Sequence, residues 1–160
     1  MYDMLNTLAE QLSQQLLRHH YRLVTAESCT GGWIAQTMTA IAGSSNWFER
    51  GFITYSNEAK HEVLDVSSLT LEKYGAVSEQ TVLEMAEGAL RHSHAEVAIA
   101  VSGIAGPTGG SADKPVGTVW IAWAFPEKIY AKCFIFKGDR QSVREQTVIT
   151  ALTTLTTDLA

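Results

Sequence analysis

The sequence predicts an α/β protein, a three-layer α/β/α sandwich on a mixed, mostly parallel sheet of about five strands. Three observations carry this. Apolar, β-rich runs alternate with amphipathic stretches through the first part of the chain, and helical crossovers between strands make those strands parallel. The run "EVAIAVSGIAG", from Glu96 to Gly106, is so continuously apolar that both of its faces should be covered. The last two β-rich runs, "GTVWIAWAF" and "IYAKCFIF", are joined by a few residues around Pro126. That link is too short for a crossover, so the pair forms an antiparallel hairpin.

The elements follow in order. Leu5, Leu8, Leu12 and Leu16 recur on one helical face, which predicts a helix over residues 3–19. "YRLVTAE" reads as a short strand, and residues 31–41 as a helix that starts after the glycines. "GFITYS" is a second strand, followed by a short helix in "NEAKHEVL". "SSLTLEKYG" has the look of one or two capped turns ended by Gly75. Ser78 caps the next helix, in which Val82, Met85, Ala86, Ala89 and Leu90 form a buried stripe. After the three apolar runs, a final helix over residues 141–159 carries Val148, Leu152, Leu155 and Leu159. Trp33, Trp47, Trp120 and Trp123 read as core, with room for one of them to stack on a ring-shaped ligand.

Length and composition narrow the function. A chain of 160 residues suits one domain, residues 1–160, and buries about two-thirds of its unfolded surface. A hydrophobic fraction of 46% with 18% charged residues is that of an ordinary globule. The formal charge of −5 argues against a nucleic-acid partner but allows a small anionic substrate held by a few local cations. The two cysteines, Cys29 and Cys133, show neither CxxC nor metal-type spacing, which fits a reduced cytosolic protein. Asp3 and Glu10 among the first leucines give no signal peptide, and the longest apolar run, from Val119 to Phe125, is too short to span a bilayer. The expected location is therefore cytoplasmic, with no membrane partner. The expected assembly is a homo-oligomer, at its simplest a dimer.

Three stretches have the residue types for chemistry. In "TAESCTGGW", Ser28, Cys29 and Thr30 stand together between a strand and a helix. The backbone N–H groups of Thr30, Gly31 and Gly32 should point outward there and favour an anion or oxyanion. A plainer reading has Ser28 or Thr30 merely capping the helix. The nucleophile elbow GxSxG is absent. In "TYSNEAKHE", Ser56 or Asn57 caps a helix and puts Lys60 in its first turn. The helix dipole disfavours a cation there, and a neutral lysine is a competent general base. Third, the loop "GIAGPTGGSADKPVG" leaves the end of a buried strand, where ligands bind in open α/β sheets. Gly103, Gly106, Gly109 and Gly110 allow positive φ and close approach of backbone to a ligand, although no Walker A pattern is present. The histidines at 19, 20, 61, 92 and 94 lack ligand spacing, so no metal site is expected.

Taken together, "AESCTGGW", "GSSNWFERGFITYSNEAK", "YGAVSEQT", "SGIAGPTGGSADKPVGTVW" and "GDRQSVR" resemble the C-terminal domain of the CinA-type competence-damage proteins. Five separated blocks match in order, from about Leu5 to Leu155, and the family's N-terminal domain has no counterpart in these residues. The resemblance implies deamidation of nicotinamide mononucleotide in the bacterial pyridine nucleotide cycle. The products are nicotinate mononucleotide and ammonia, and no metal or other cofactor is required. It also implies that Ser28 is the nucleophile, that Lys60 is its base and that Tyr55 tunes Lys60. Glu27, Thr30, Gly31, Asn57, Ser102, Gly103, Gly106, Gly110 and Arg140 are the expected substrate-binding residues, with Arg140 a candidate cation for the 5′-phosphate. Ser102 stands where many relatives have threonine, which keeps the hydroxyl. The choice of Ser28 over Cys29 also has a geometric side: neighbours leaving a strand point to opposite sides, and a small thiol suits the packed one. Two rivals share these loops, a non-catalytic pyridine-nucleotide-binding module and a thiol amidase built on Cys29.

Overall fold

The computed structural model describes residues 2–160. Helix α1 (Tyr2–His19) leads into strand β1 (Leu23–Glu27), helix α2 (Trp33–Thr39) and strand β2 (Phe48–Ile53). Helices α3 (Asn57–Leu64), α4 (Ser68–Tyr74) and α5 (Glu79–Arg91) follow, then strand β3 (Val97–Gly103). The hairpin of β4 (Thr118–Ala124) and β5 (Ile129–Ile135) precedes helix α6 (Arg140–Leu159).

The strands lie in the order β2-β1-β3-β4-β5. β1 pairs parallel with both β2 and β3, whereas β3–β4 and β4–β5 are antiparallel. The mixed sheet therefore divides evenly, because the long loop after β3 brings β4 straight back beside it.

Side chains alternate across the sheet and sort by size. Leu23, Val97, Ile99, Val101, Ile121 and Trp123 face a core shared with Leu12 and Leu16 of α1, Ile34 of α2 and Leu152 of α6. The opposite face is mostly small: Val24, Ala26, Ala98, Ala100, Ala122 and Ala124 meet Val82, Met85 and Ala86 of α5. Alanines let α5 lie close across the middle strands, and Gly88 extends that closeness to α3. A Cβ at Gly88 would come within 1.8 Å of the Leu64 carbonyl oxygen.

Element boundaries shift where backbone conformation outweighs composition. The helix expected over 31–41, starting after the glycines, begins at Trp33 and ends at Thr39; Gly31 and Gly32 hold φ of 60° and 104° and cannot continue a right-handed turn. The strand expected at "GFITYS" starts earlier and ends earlier. Its partner β1 sets the register from Leu23↔Phe48 to Glu27↔Ile53. "SSLTLEKY" closes into the full helix α4, capped by Ser67 and stopped at Gly75. Among the described residues no helix is long and apolar enough to cross a membrane.

Candidate active site

The site forms at the carboxyl ends of the parallel strands, where β1 and β3 lie side by side. After Glu27 the chain stays in register for one more residue, with the Ser28 N–H donating to the Val101 carbonyl at 3.2 Å. It then turns sharply: the Gly31 N–H donates back to the Ser28 carbonyl at 3.0 Å. The Gly31 amide expected to point outward is thus already satisfied. The amides of Cys29 and Thr30 make no backbone hydrogen bond among the described residues.

Glu27 holds this turn from beneath. Only 1% exposed, its carboxylate accepts from the Thr30 hydroxyl at 2.6 Å and from the Ile34 and Ala35 amides at 2.9 Å. A carboxylate at the N-terminus of α2 satisfies its free amides and suits its dipole. The Glu27 and Thr30 side chains face each other beneath the turn. One expectation is corrected here: Thr30 does not cap α2 directly. It braces Glu27, which does.

Lys60 arrives from the other parallel strand end. The Ser56 hydroxyl accepts from the Ala59 N–H and starts α3, which places Lys60 one turn in and buries it to 1% exposure. Its Nζ lies 3.0 Å from Ser28 Oγ, 3.1 Å from the Thr54 carbonyl and 3.1 Å from the Tyr55 carbonyl. No carboxylate pairs with it among the described residues. Burial therefore lowers its pKa from the ordinary lysine value of 10.5. A neutral amine has two N–H donors and one lone pair. Here Nζ donates to all three oxygens, and the Ser28 hydroxyl donates to the Tyr55 carbonyl at 3.4 Å. Loss of one proton from the amine would keep two donors for the carbonyls and free a lone pair toward Ser28.

Cys29, next in sequence, is placed differently. It is 6% exposed, belongs to the large hydrophobic core, and burial pushes its thiol up to about 11. The serine and cysteine do not separate fully to opposite sides, because both reach the wall of one cavity. Only Ser28 touches the Lys60 amine.

That cavity, of about 260 Å³, is also lined by Val77, Ser102, Gly103, Gly106, Thr108 and Arg140. Tyr55 lines it too, but it meets Lys60 through its carbonyl. Its side chain is 61% exposed, and its phenol accepts from Arg140 Nη2 at 3.2 Å. Arg140, the first residue of α6, also donates from Nη1 to the Gly106 carbonyl at 2.8 Å. Asn57 is exposed on α3 and borders a different hollow with Glu58 and His61. Gly31 and Gly110 also lie outside the cavity wall.

Two of the loop glycines are required by the loop's own packing. A Cβ at Gly106 would meet Val116 Cγ1 at 2.4 Å, and one at Gly110 the Val116 amide at 2.7 Å. The loop folds back on Val116 and contributes Gly106, Thr108 and Gly109 to the cavity wall.

Sequence reasoning missed Thr54, which acts only through its carbonyl, and Val77, in the turn before α5. It also missed Arg144, one turn after Arg140 on α6, although the residue stands inside the block "GDRQSVR". Backbone acceptors leave no residue-type signal. The arginine had one, but nothing in its neighbourhood along the chain says what it reaches.

The CinA C-terminal domain matches residues 5–159. The chain is 54% identical over 149 residues to the nicotinamide-nucleotide amidohydrolase PncC of Escherichia coli strain K12, covering 92% of this chain and 90% of that one. The crystal structure of a competence-damaged protein (CinA) superfamily protein from Klebsiella pneumoniae superposes with a TM-score of 0.94 at 41% identity, over 97% of each chain. The competence/damage inducible protein CihA from Agrobacterium tumefaciens does so with a TM-score of 0.94 at 45% identity, over 98% of this chain and 95% of that one. With one domain match spanning nearly every element from α1 to α6, and a shared fold at near full length in both directions, this chain belongs to the CinA C-terminal domain family.

Proposed function

We propose that this chain is a nicotinamide-nucleotide amidohydrolase that converts the carboxamide of nicotinamide mononucleotide to a carboxylate and ammonia through an acyl-enzyme on Ser28. The observation that carries the reading is the 3.0 Å contact from Lys60 Nζ to Ser28 Oγ, with the Thr54 and Tyr55 carbonyls holding the same buried amine in place. An isolated serine is a weak nucleophile at neutral pH, and a neutral amine aimed at its proton activates it. The substrate assignment draws on the relatives' activity and on the cavity's size and polarity.

The steps follow from the contacts. Lys60 takes the Ser28 proton as Oγ bonds to the carboxamide carbon, and the carbonyl π pair moves onto oxygen. That oxyanion forms beside the amide of Cys29, which lines the cavity and makes no backbone hydrogen bond among the described residues. As it collapses, the C–N bond breaks, and the proton on Lys60 passes to the departing nitrogen to give ammonia. Water then enters, gives a proton to Lys60 and bonds to the acyl carbon. Collapse of the second intermediate breaks the ester bond, and Ser28 regains its proton from Lys60. The substrate's pyridinium ring withdraws electrons from the amide and eases both attacks. Arg140 binds the 5′-phosphate beside the loop around Gly106, using guanidinium donors that Gly106 and Tyr55 leave over.

Ammonia release from nicotinamide mononucleotide tests the reading. Turnover by the wild-type chain that disappears in Ser28→Ala is expected. No ammonia at any substrate concentration overturns it.

A further inference from the structure

Gly88 sits inside α5, where glycine weakens a helix relative to alanine. What lies against it explains its presence. A Cβ there would stand 1.8 Å from the Leu64 carbonyl oxygen, 2.7 Å from its carbon and 3.0 Å from the Leu64 Cα. All three atoms are backbone, at the last residue of α3, so no side chain can turn aside to make room. The same end of α3 is bound to α5 in two further ways. The Leu64 side chain is wholly buried with Val82, Met85 and Ala89. The Asp65 carboxylate accepts from His92 Nε2 at 2.6 Å and from Arg91 Nε at 3.3 Å.

That end of α3 closes on Lys60 itself. Asp65 is left-handed, with φ of 61°, and the chain turns back on the helix. The Val66 N–H donates to the Lys60 carbonyl and the Asp65 N–H to the His61 carbonyl, each at 3.1 Å. At the other end, the Thr54 N–H donates to the Glu27 carbonyl at 2.9 Å and keeps the start of α3 on the sheet. Lys60 lies midway between the Ser56 cap and Leu64, so a shift of the Leu64 turn reaches it at about half amplitude. A methyl group at position 88 needs at least 3.0 Å from the Leu64 oxygen, so the two helices would part there by about 1.2 Å. Half of that takes the 3.0 Å contact between Lys60 and Ser28 to the limit of a hydrogen bond.

We propose that Gly88 is a positioning residue for the reaction: by letting the last turn of α3 rest on α5, it sets how deeply Lys60 enters between the strand ends and hence its contact with Ser28. Gly88 does not line the cavity and acts only through α3. The inference rests on Lys60 being the base of Ser28. The other titratable groups around the amine are the buried Cys29 thiol, with Tyr55 and Arg140 on the cavity wall. On α3 itself, Glu58, His61 and Glu62 are exposed. On α5, Glu87 is exposed, Glu84 is held by the Ser67 N–H and the Thr70 hydroxyl, and Arg91 and His92 are held by Asp65.

Steady-state hydrolysis of nicotinamide mononucleotide across pH tests it, in the wild-type chain, Gly88→Ala, Leu64→Ala and a control, Leu155→Ala, in the core on the other face of the sheet. Gly88→Ala should lower the high-pH plateau of kcat about 10–10²-fold, the scale of an ångström-sized misplacement caused far from the chemistry. KM should stay within about threefold, the mark of a loss confined to the chemical step. The pH of half-maximal kcat should rise toward 10.5 as water reaches the displaced amine. Leu64→Ala frees the same turn by removing its buried anchor and should move the midpoint the same way, so it decides the matter should Gly88→Ala fail to fold. Leu155→Ala should lower the melting temperature and leave the midpoint in place. A folded Gly88→Ala with the plateau and midpoint of wild type overturns the proposal. So does a wild-type midpoint in Leu64→Ala, or a control whose midpoint moves as far. Labelling of Ser28 by phenylmethylsulfonyl fluoride across pH, followed by intact mass, reads the same amine without the nucleotide. A wild-type chain that is labelled yet never hydrolyses the nucleotide removes the substrate assignment alone, and a labelling midpoint raised in Gly88→Ala then supports the role given to Gly88. An unmoved labelling midpoint removes that role. A wild-type chain neither labelled nor hydrolytic removes the Ser28–Lys60 pair and this proposal together.

Discussion

Lys60 Nζ and Ser28 Oγ lie 3.0 Å apart although 32 residues separate them along the chain. Each sits just past the end of a parallel strand, and β1 and β2 are neighbours in the sheet, so pairing the strands brings the two side chains together. Ser28 and Lys60 are both almost fully buried, which makes the state of the amine the controlling variable of the site.

Activity should rise with pH and level off. Burial disfavours the ammonium form of Lys60, so its midpoint in kcat lies below 10.5, the ordinary lysine value. The sign for stability is the same. A base whose folded pKa is depressed binds fewer protons folded than unfolded between the two pKa values, so stability rises with pH across that window. A kcat profile whose basic midpoint equals that of an exposed lysine contradicts this.

Lys60→Arg keeps the charge and loses the base. Guanidinium does not deprotonate, and its planar fork does not fit a pocket that offers two carbonyls and one hydroxyl. Turnover should fall by about 10²–10⁴-fold, the usual worth of a general base. Measured kcat within tenfold of wild type would make Lys60 an electrostatic anchor only.

The two neighbours at 28 and 29 should separate cleanly. Ser28→Ala should abolish turnover while calorimetry still detects nucleotide binding. Cys29→Ala should keep most of its kcat and lose about 1 kcal/mol of stability, the scale for deleting one small buried group. Iodoacetamide should label exposed Cys133 well before Cys29, whose thiol is buried and raised to about 11. Rapid inactivation that substrate prevents, and that Cys29→Ala abolishes, would point to the thiol as nucleophile.

Glu27→Gln tests the brace beneath the turn. The amide keeps one acceptor oxygen where the carboxylate uses two, and it brings two donors into a site that already has three. A loss of about 1–3 kcal/mol is expected. Thermal melts should show it as a drop of about 2–4 °C per kcal/mol. An unchanged melting temperature would mean that α2 needs no such cap.

Tyr55→Phe should leave kcat within about threefold, because the phenol meets Arg140 whereas the carbonyl meets Lys60. Arg140→Ala should raise KM for the mononucleotide more than it lowers kcat, if the phosphate rests on that side. Equal kcat losses in the two variants would place the phenol in the chemistry.

The order of helices and strands, and the antiparallel hairpin around Pro126, were legible from periodicity and link length. So were the signals at Ser56, Ser78 and Gly75, because capping and turn conformation are decided within a few residues. The sequence also marked both strand-to-helix turns as places with the residue types for chemistry. It also put the start of α2 after the two glycines, whose positive φ cannot continue a right-handed turn.

Other features were decided only when the strands paired. That Lys60 points at Ser28, that Glu27 turns down to cap α2, and that Arg144 of α6 seizes the carbonyls of Cys29 and Thr30 are contacts between segments distant in sequence. Local propensity carries no information about such distances. They follow from sheet order and from the face each helix buries. The buried amine is the clearest case: a lysine in a first helical turn is ordinarily solvated, and the closing of α3 against the strand ends is what removes its water and sets its amine against a serine.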